Sequence, residues 1–132
     1  MDIVISQQQG RVPVSVLRLT GEVNSSTYER LEKTAREIID GGAQYILLDL
    51  TDLNFLSSAG LRTIHNLFNE LRFRSPNGND GDIKKGLADG TYKSPHLKLL
   101  RPSESVLEVL KMTGYDMFIE IHTDMQAAIN SF

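Results

Sequence analysis

Ser57 and Ser58 are the residues of this chain best placed to do chemistry. They lie between an apolar run, Ile46 to Leu50 broken only by Asp49, and a set of apolar residues at three- and four-residue spacing, Leu61, Ile64, Leu67, Phe68 and Leu71. The first pattern predicts a strand buried on both faces, and the second predicts one stripe of a helix. A polar turn at Thr51 to Asn54 is expected to join them. Either serine then serves as the helix N-cap, where several backbone N–H groups have no partner and the helix dipole is positive. A hydroxyl is presented there among backbone donors that would welcome an anion, although spacing alone favours a plain N-cap.

Enzyme chemistry is not supported at the same place. Ser58-Ala59-Gly60 is half of a nucleophile elbow, but the upstream glycine that the elbow requires is Leu56. His65 lies about two turns into the helix, too far along it to activate either serine. His65, His96 and His122 are separated by long intervals without metal-ligand spacing. Gly81 and Gly86 mimic the outer glycines of a phosphate-binding loop, yet Leu87 and Ala88 replace its Lys and Ser/Thr. Asn77 to Asp82 offers the oxygens of a calcium loop without the closing glutamate. The expectation is a protein that is not an enzyme and holds no cofactor or metal.

The bulk numbers are those of an ordinary soluble globular protein. At 132 residues the chain is expected to form one domain over 1–132 with a core that needs no staples. A net charge of −3, with lysines and arginines scattered, argues against a nucleic-acid partner. There is no cysteine, hence no disulfide framework and no thiolate chemistry. The N-terminal residues lack the features of a signal peptide, and no apolar run is long enough to insert into a membrane, so the expected location is cytoplasmic.

Taken in order, Ile3 to Ser6 and Val14 to Thr20 read as an antiparallel strand pair, with Thr20-Gly21-Glu22 ending the second strand. Asn24, Ser25 and Ser26 are capping residues, and Ser26 with Glu29 has capping-box spacing for a helix that runs to about Asp40 and stops at Gly41-Gly42. Leu31, Ala35, Ile38 and Ile39 are its expected core positions. The helix after Ser58 should reach roughly Phe73. About 74–96 is rich in Gly, Asn and Asp and reads as a loop insertion. Leu97 to Leu100 resume as a strand, and Pro102-Ser103 open a helix with Val106, Leu107, Leu110 and Met112 apolar and Gly114 at its end. Met117 to His122 alternate as a strand, and Thr123 with Gln126 starts a terminal helix. This ββαβαβαβα order predicts an α/β fold.

Ile46 to Phe68, with Leu48-Asp49-Leu50-Thr51-Asp52 leading to Ser57-Ser58-Ala59-Gly60-Leu61, resembles the signature of STAS domains, the family of bacterial anti-sigma factor antagonists and of the cytoplasmic tails of sulfate transporters. The family's usual Asp-Ser-Ser-Gly-Leu lies over Ser57 to Leu61, and its phosphoacceptor serine falls on Ser58. Here Ser57 stands where an aspartate is common, and Ala59 stands where a second serine is frequent. Thr20-Gly21-Glu22-Val23-Asn24 resembles the family's Thr-Gly-Glu-Leu-Asp. The resemblance covers nearly the whole chain except the insertion, and implies a mixed sheet of about five strands with about four helices.

It further implies an anti-sigma factor antagonist acting in transcription regulation by partner switching. The partner would be an anti-sigma factor with serine kinase activity, the contact would end on phosphorylation of Ser58, and a serine phosphatase would restore it. By resemblance the turn around Glu22 to Asn24 lies beside the phosphoacceptor and touches the partner. The expected partner-binding residues are Glu22, Asn24, Asp52, Ser57, Ser58, Gly60 and Arg62. Asp49 and Asp52 read first as satisfying local backbone donors at the strand end and turn, and second as part of the docking surface or as positioning the serine. An alternative keeps the fold but makes the chain a non-catalytic STAS subunit of a signalling scaffold or transporter ATPase complex, with Ser58 only a cap.

Overall fold

A computed structural model describes residues 1–74 and 93–132. β1 (Asp2–Gln9) and β2 (Pro13–Val23) form an antiparallel pair whose register runs unbroken from Asp2 opposite Thr20 to Gln9 opposite Pro13. Then follow α1 (Tyr28–Asp40), β3 (Ile46–Leu56), α2 (Ser58–Arg74), β4 (Leu97–Leu100), α3 (Glu104–Thr113), a 3₁₀ turn (Tyr115–Met117), β5 (Glu120–His122) and α4 (Met125–Ser131). The strands lie in one sheet in the order β1-β2-β3-β4-β5, and every neighbour pair from β2 onward is parallel. Among the described residues this is the expected α/β architecture, a five-stranded mixed sheet with four helices. Of the expected insertion, 75–92 lies outside the described residues, and with it the glycine and aspartate patterns at Asn77 to Ala88.

Ile46 to Leu50 are all buried, because each face of the sheet is covered at this level. Leu17, Leu19, Leu48 and Leu99 face the stripe of α2 together with Leu31, Ala35 and Ile39 of α1 and Val106 and Leu110 of α3. On the opposite face Val14, Val16, Leu47 and Leu100 are covered by Ala128 and Ile129 of α4. Each such leucine contributes about 1.5–3 kcal/mol of transfer free energy. α4 is also held by polar contacts to Lys98, only 3% exposed, whose Nζ donates to the Ser131 carbonyl at 2.8 Å and pairs with Glu120 at 3.0 Å.

Several boundaries differ from expectation, each for a local reason. β2 does not end at Thr20-Gly21-Glu22 but continues to Val23. Register shifts beside Thr20 and Gly21, with Gly21 at φ +100°, absorb the irregularity as a bulge. The polar residues 51–54 form no turn, because β2 offers them a ladder: Asp52, Leu53, Phe55 and Leu56 pair with Thr20 to Val23. α1 begins after Thr27, which makes no side-chain cap bond because its hydroxyl is engaged with the Glu22 carbonyl and the Asn24 N–H, while Ser26, the expected cap, gives its own N–H to Asn24 Oδ1 at 2.9 Å. Ile38 is half-buried. Met112 is 80% exposed, being two residues from buried Leu110 and so on the opposite side of α3.

At the C-terminal end, Gly114 caps α3 in the left-handed region and turns the chain into the 3₁₀ element, leaving only Glu120 to His122 for β5. The cap of α4 is Asp124, accepting the Ala127 N–H at 2.8 Å, rather than Thr123. Ser103 caps α3 and Gly41 follows α1 as expected.

Two close approaches yield predictions. A Cβ at Gly60 would lie 2.6 Å from Leu56 Cδ1 and 2.8 Å from Val23 Cγ1, so α2 can sit on the ends of β2 and β3 only because position 60 has no side chain. Gly60→Ala is expected to lose about 1–2 kcal/mol in urea unfolding followed by circular dichroism, the clash outweighing alanine's better helix propensity. His96 packs its ring 5.4 Å from Tyr45, with Nδ1 3.2 Å from the Gln44 carbonyl. Burial lowers its pKa, and the Gln44 hydrogen bond only partly opposes this. The unfolded chain therefore binds this proton more readily. The contribution is complete above the ordinary histidine pKa and is lost as pH falls through it toward the folded value. Unfolding between about pH 7 and 5 should show a smaller loss of stability in His96→Gln than in the wild type.

Candidate functional site at the start of α2

The junction between β3 and α2 is fastened to β2 by backbone bonds. The Ser57 N–H donates to the Val23 carbonyl at 2.9 Å, and the Ser57 carbonyl accepts the first helical bond from Leu61 at 2.9 Å. Ser57 Oγ accepts from the Gly60 N–H at 3.2 Å. Of the two serines, Ser57 is therefore the N-cap. Ser58 is the first helical residue and is exposed, with its hydroxyl not required for capping. By helix geometry the Ser58 and Ala59 N–H groups have no intrahelical acceptor and add to the positive end of the α2 dipole. Gly60 is buried beneath this turn and acts by seating the helix.

Beside it lies the β2–α1 turn, brought there by the pairing of Val23 with Leu56 and of Glu22 with Phe55. Thr27 ties the turn internally: its hydroxyl donates to the Glu22 carbonyl at 2.8 Å and accepts the Asn24 N–H at 2.9 Å. The Asn24 carbonyl receives the Tyr28 N–H at 2.9 Å, and its amide reaches Glu22 Oε2 at 3.4 Å. Glu22 and Asn24 are thus held in place next to Ser57 and Ser58. Arg62, exposed one turn after Ser58, lies close enough to Tyr28 at the start of α1 for its charge to act on the phenol. That phenol's pKa is nevertheless raised, first by its hydrogen bond to Glu29.

Phe55 is a member of this surface that sequence reasoning missed. It is 48% exposed and directly opposite Glu22. The expectation of a turn at 51–54 hid it; an aromatic residue between two polar stretches was the available signal. Asp52 is not brought to Ser58. It sits five residues before Ser57 in an extended strand, about 16 Å away along it, and is ion-paired with Arg18. That carboxylate raises the arginine's pKa, through the hydrogen bond first and charge second. Asp49 is buried and accepts from the Thr51 N–H at 3.1 Å and the Thr51 hydroxyl at 2.5 Å, a structural role. His65 turns to the aromatic rings of Phe68 and Tyr115, 6.1 and 5.8 Å away. Among the described residues no three His, Cys, Asp or Glu side chains are grouped as metal ligands, and no helix is long and apolar enough to cross a membrane.

The arrangement offers an accessible hydroxyl on a helix start, bordered by a carboxylate, an amide, an aromatic ring and an arginine. Comparison with known proteins gives it a context. The STAS domain profile matches residues 4–75, from β1 through α2. The curated protein BtrV of Bordetella bronchiseptica, a candidate anti-sigma factor antagonist, is 41% identical over 54 residues, which are 41% of this chain and 47% of that protein. The match thus spans about half the length of that relative. Among solved structures, an anti-sigma factor antagonist from Mycobacterium paratuberculosis superposes with a TM-score of 0.73 at 15% identity, over 98% of this chain and 92% of its own. The antagonist SpoIIAA in its unphosphorylated form gives 0.63 at 20% identity, over 94% of this chain and 92% of its own. The phosphorylated Bacillus SpoIIAA gives 0.57 at 19% identity, over 94% and 96%. At these identities the structures speak for the fold, while the profile covers more than half of the sequence: the chain belongs to the STAS domain family.

Proposed function

We propose that this protein is an anti-sigma factor antagonist that binds an anti-sigma factor through the surface formed by the β2–α1 turn and the start of α2, and that phosphorylation of Ser58 ends the contact. The observation that carries the reading is the division of labour between the two serines. Ser57 caps α2, so Ser58 can be modified without costing the helix its cap. The likeness to BtrV and to the SpoIIAA structures supports the class of partner.

In this reading the anti-sigma factor is also the serine kinase. The γ-phosphoryl group of its ATP passes to Ser58 Oγ, ADP leaves, and the hydroxyl proton goes to a base of the kinase. A serine phosphatase hydrolyses the ester and restores binding. The chain is a substrate, not an enzyme, and works in the cytoplasm.

The physical effect of the phosphate is local. It brings about −1.5 to −2 charges to the surface, meets the free N–H groups of the helix start, and has Arg62 within one turn as a counter-charge. Ser57, in the place of the family's aspartate, adds no second negative charge beside the acceptor. Glu22 on the adjacent turn already makes the surface acidic there. A partner packed over Phe55 and Glu22 then meets a strongly anionic, hydrated group and is repelled.

Affinity capture with wild-type, Ser58→Ala and Ser58→Asp baits, with mass spectrometry of the captured proteins and of residue 58, tests this. Wild type and Ser58→Ala should retain a kinase-like anti-sigma factor. Ser58→Asp should lose about tenfold in affinity or more, some 1.4 kcal/mol. Equal capture by all three, with Ser58 unmodified in cells, would favour the alternative of a structural subunit in a signalling scaffold or transporter ATPase complex.

A further inference from the structure

The outer edge of β1 is an unusual piece of surface. β1 begins the strand order, so among the described residues it pairs only with β2. Sheet edges left open in this way are ordinarily made short, or carry a charge, a proline or a bulge, because their free N–H and carbonyl groups invite another strand. β1 has none of these devices in its interior. It is eight residues long, its register with β2 has no slip, and Ile3 to Gly10 include no charged residue and no proline. It also carries exposed apolar side chains that alternate between the two faces of the sheet, Val4 at 58% and Ile5 at 44%.

We infer that β1 is a self-association edge at which two copies of this chain pair antiparallel and continue the sheet from one molecule into the other. A second copy fits better than an arbitrary peptide because the strand is its own complement: pairing brings no like charges together and needs no partner of a particular sequence. Symmetry restricts the register. Directly opposite residues in an antiparallel pair turn their N–H and carbonyl groups alike, either both toward the partner or both away. Two identical strands can therefore meet only with the two-fold axis on a residue. The axis nearest the middle of Asp2–Gln9 that also covers apolar surface is Ile5. Ile5 then faces the partner's Ile5, Val4 faces the partner's Ser6, and Asp2 lies opposite the partner's Gln8. A strand edge alone buries less than a standard interface, so the dimer forms with rising protein concentration rather than as an obligate unit.

The natural absence of cysteine makes the register measurable. In sedimentation velocity over a concentration series, the wild type should move from the mass of one chain toward twice that mass. Ile5→Lys, which sets two ammonium groups on the axis, should stay at one chain, with Ser6→Lys as a second variant and thermal melting confirming that each is folded. Under mild oxidation Ile5→Cys should give a disulfide-linked dimer, because opposite Cα atoms lie within bridging range. Gln8→Cys should not, its copies being six residues apart along the paired strands, about 20 Å. A wild type that stays at one mass throughout, a dimer untouched by folded Ile5→Lys and Ser6→Lys, or crosslinking at Gln8 in preference to Ile5 overturns the inference.

Discussion

The structure depends on how closely the first turn of α2 approaches the ends of β2 and β3. The hydrogen bond from the Ser57 N–H to the Val23 carbonyl fixes where the strand gives way to the helix, and Gly60 lets the helix lie against Val23 and Leu56. With that contact made, the rest of the surface follows. Ser57 is drawn into the cap, Ser58 is left outside it, and the β2–α1 turn with Glu22 and Asn24 comes alongside because Val23 and Leu56 are paired. A side chain at position 60 would act on all of these together from beneath the surface.

The sheet beneath supplies rigidity. β2 and β3 pair over most of their length, and the bulge at Gly21 lets the ladder continue to the site instead of stopping short of it. Both faces are closed, by α1, α2 and α3 on one side and by α4 on the other. α4 is short, and its burial of Ala128 and Ile129 is supplemented by the Lys98 contacts to Ser131 and Glu120. The phosphate proposed for Ser58 would thus be presented on a sheet packed on both faces.

Much of this was legible in the sequence because it rests on periodicity and on residue chemistry. The apolar run at Ile46 to Leu50 and the stripe from Leu61 to Leu71 fixed a strand and a helix. The order of elements followed from turn residues such as Gly41-Gly42 and Gly114. What was not legible depended on neighbours. Thr51 to Asn54 read as a turn until β2 was there to pair with them, and Thr20 to Glu22 read as a stop until the bulge was seen to continue the strand. Phe55 was overlooked for the same reason. Spacing alone allowed either serine to cap α2; only the geometry, with Ser57 Oγ on the Gly60 N–H, separates the cap from the exposed hydroxyl. Asp52, close to the serines in sequence, is expected as a candidate for the docking surface, whereas it lies within β3 and is paired with Arg18 of β2.

The central claim is physical: the start of α2 accepts a phosphate on Ser58 without rebuilding the fold, and the change is read at the surface. The most direct measurement is a comparison of backbone amide NMR spectra and melting temperature for the unmodified protein and the protein carrying phosphoserine at position 58. The account predicts shift changes concentrated in residues 22–28 and 55–62, little change along β4, β5 and α4, and no loss of thermal stability. Shift changes spread through the sheet, or a marked fall in melting temperature, would contradict it and show that Ser58 belongs to the structure rather than to a switch upon it.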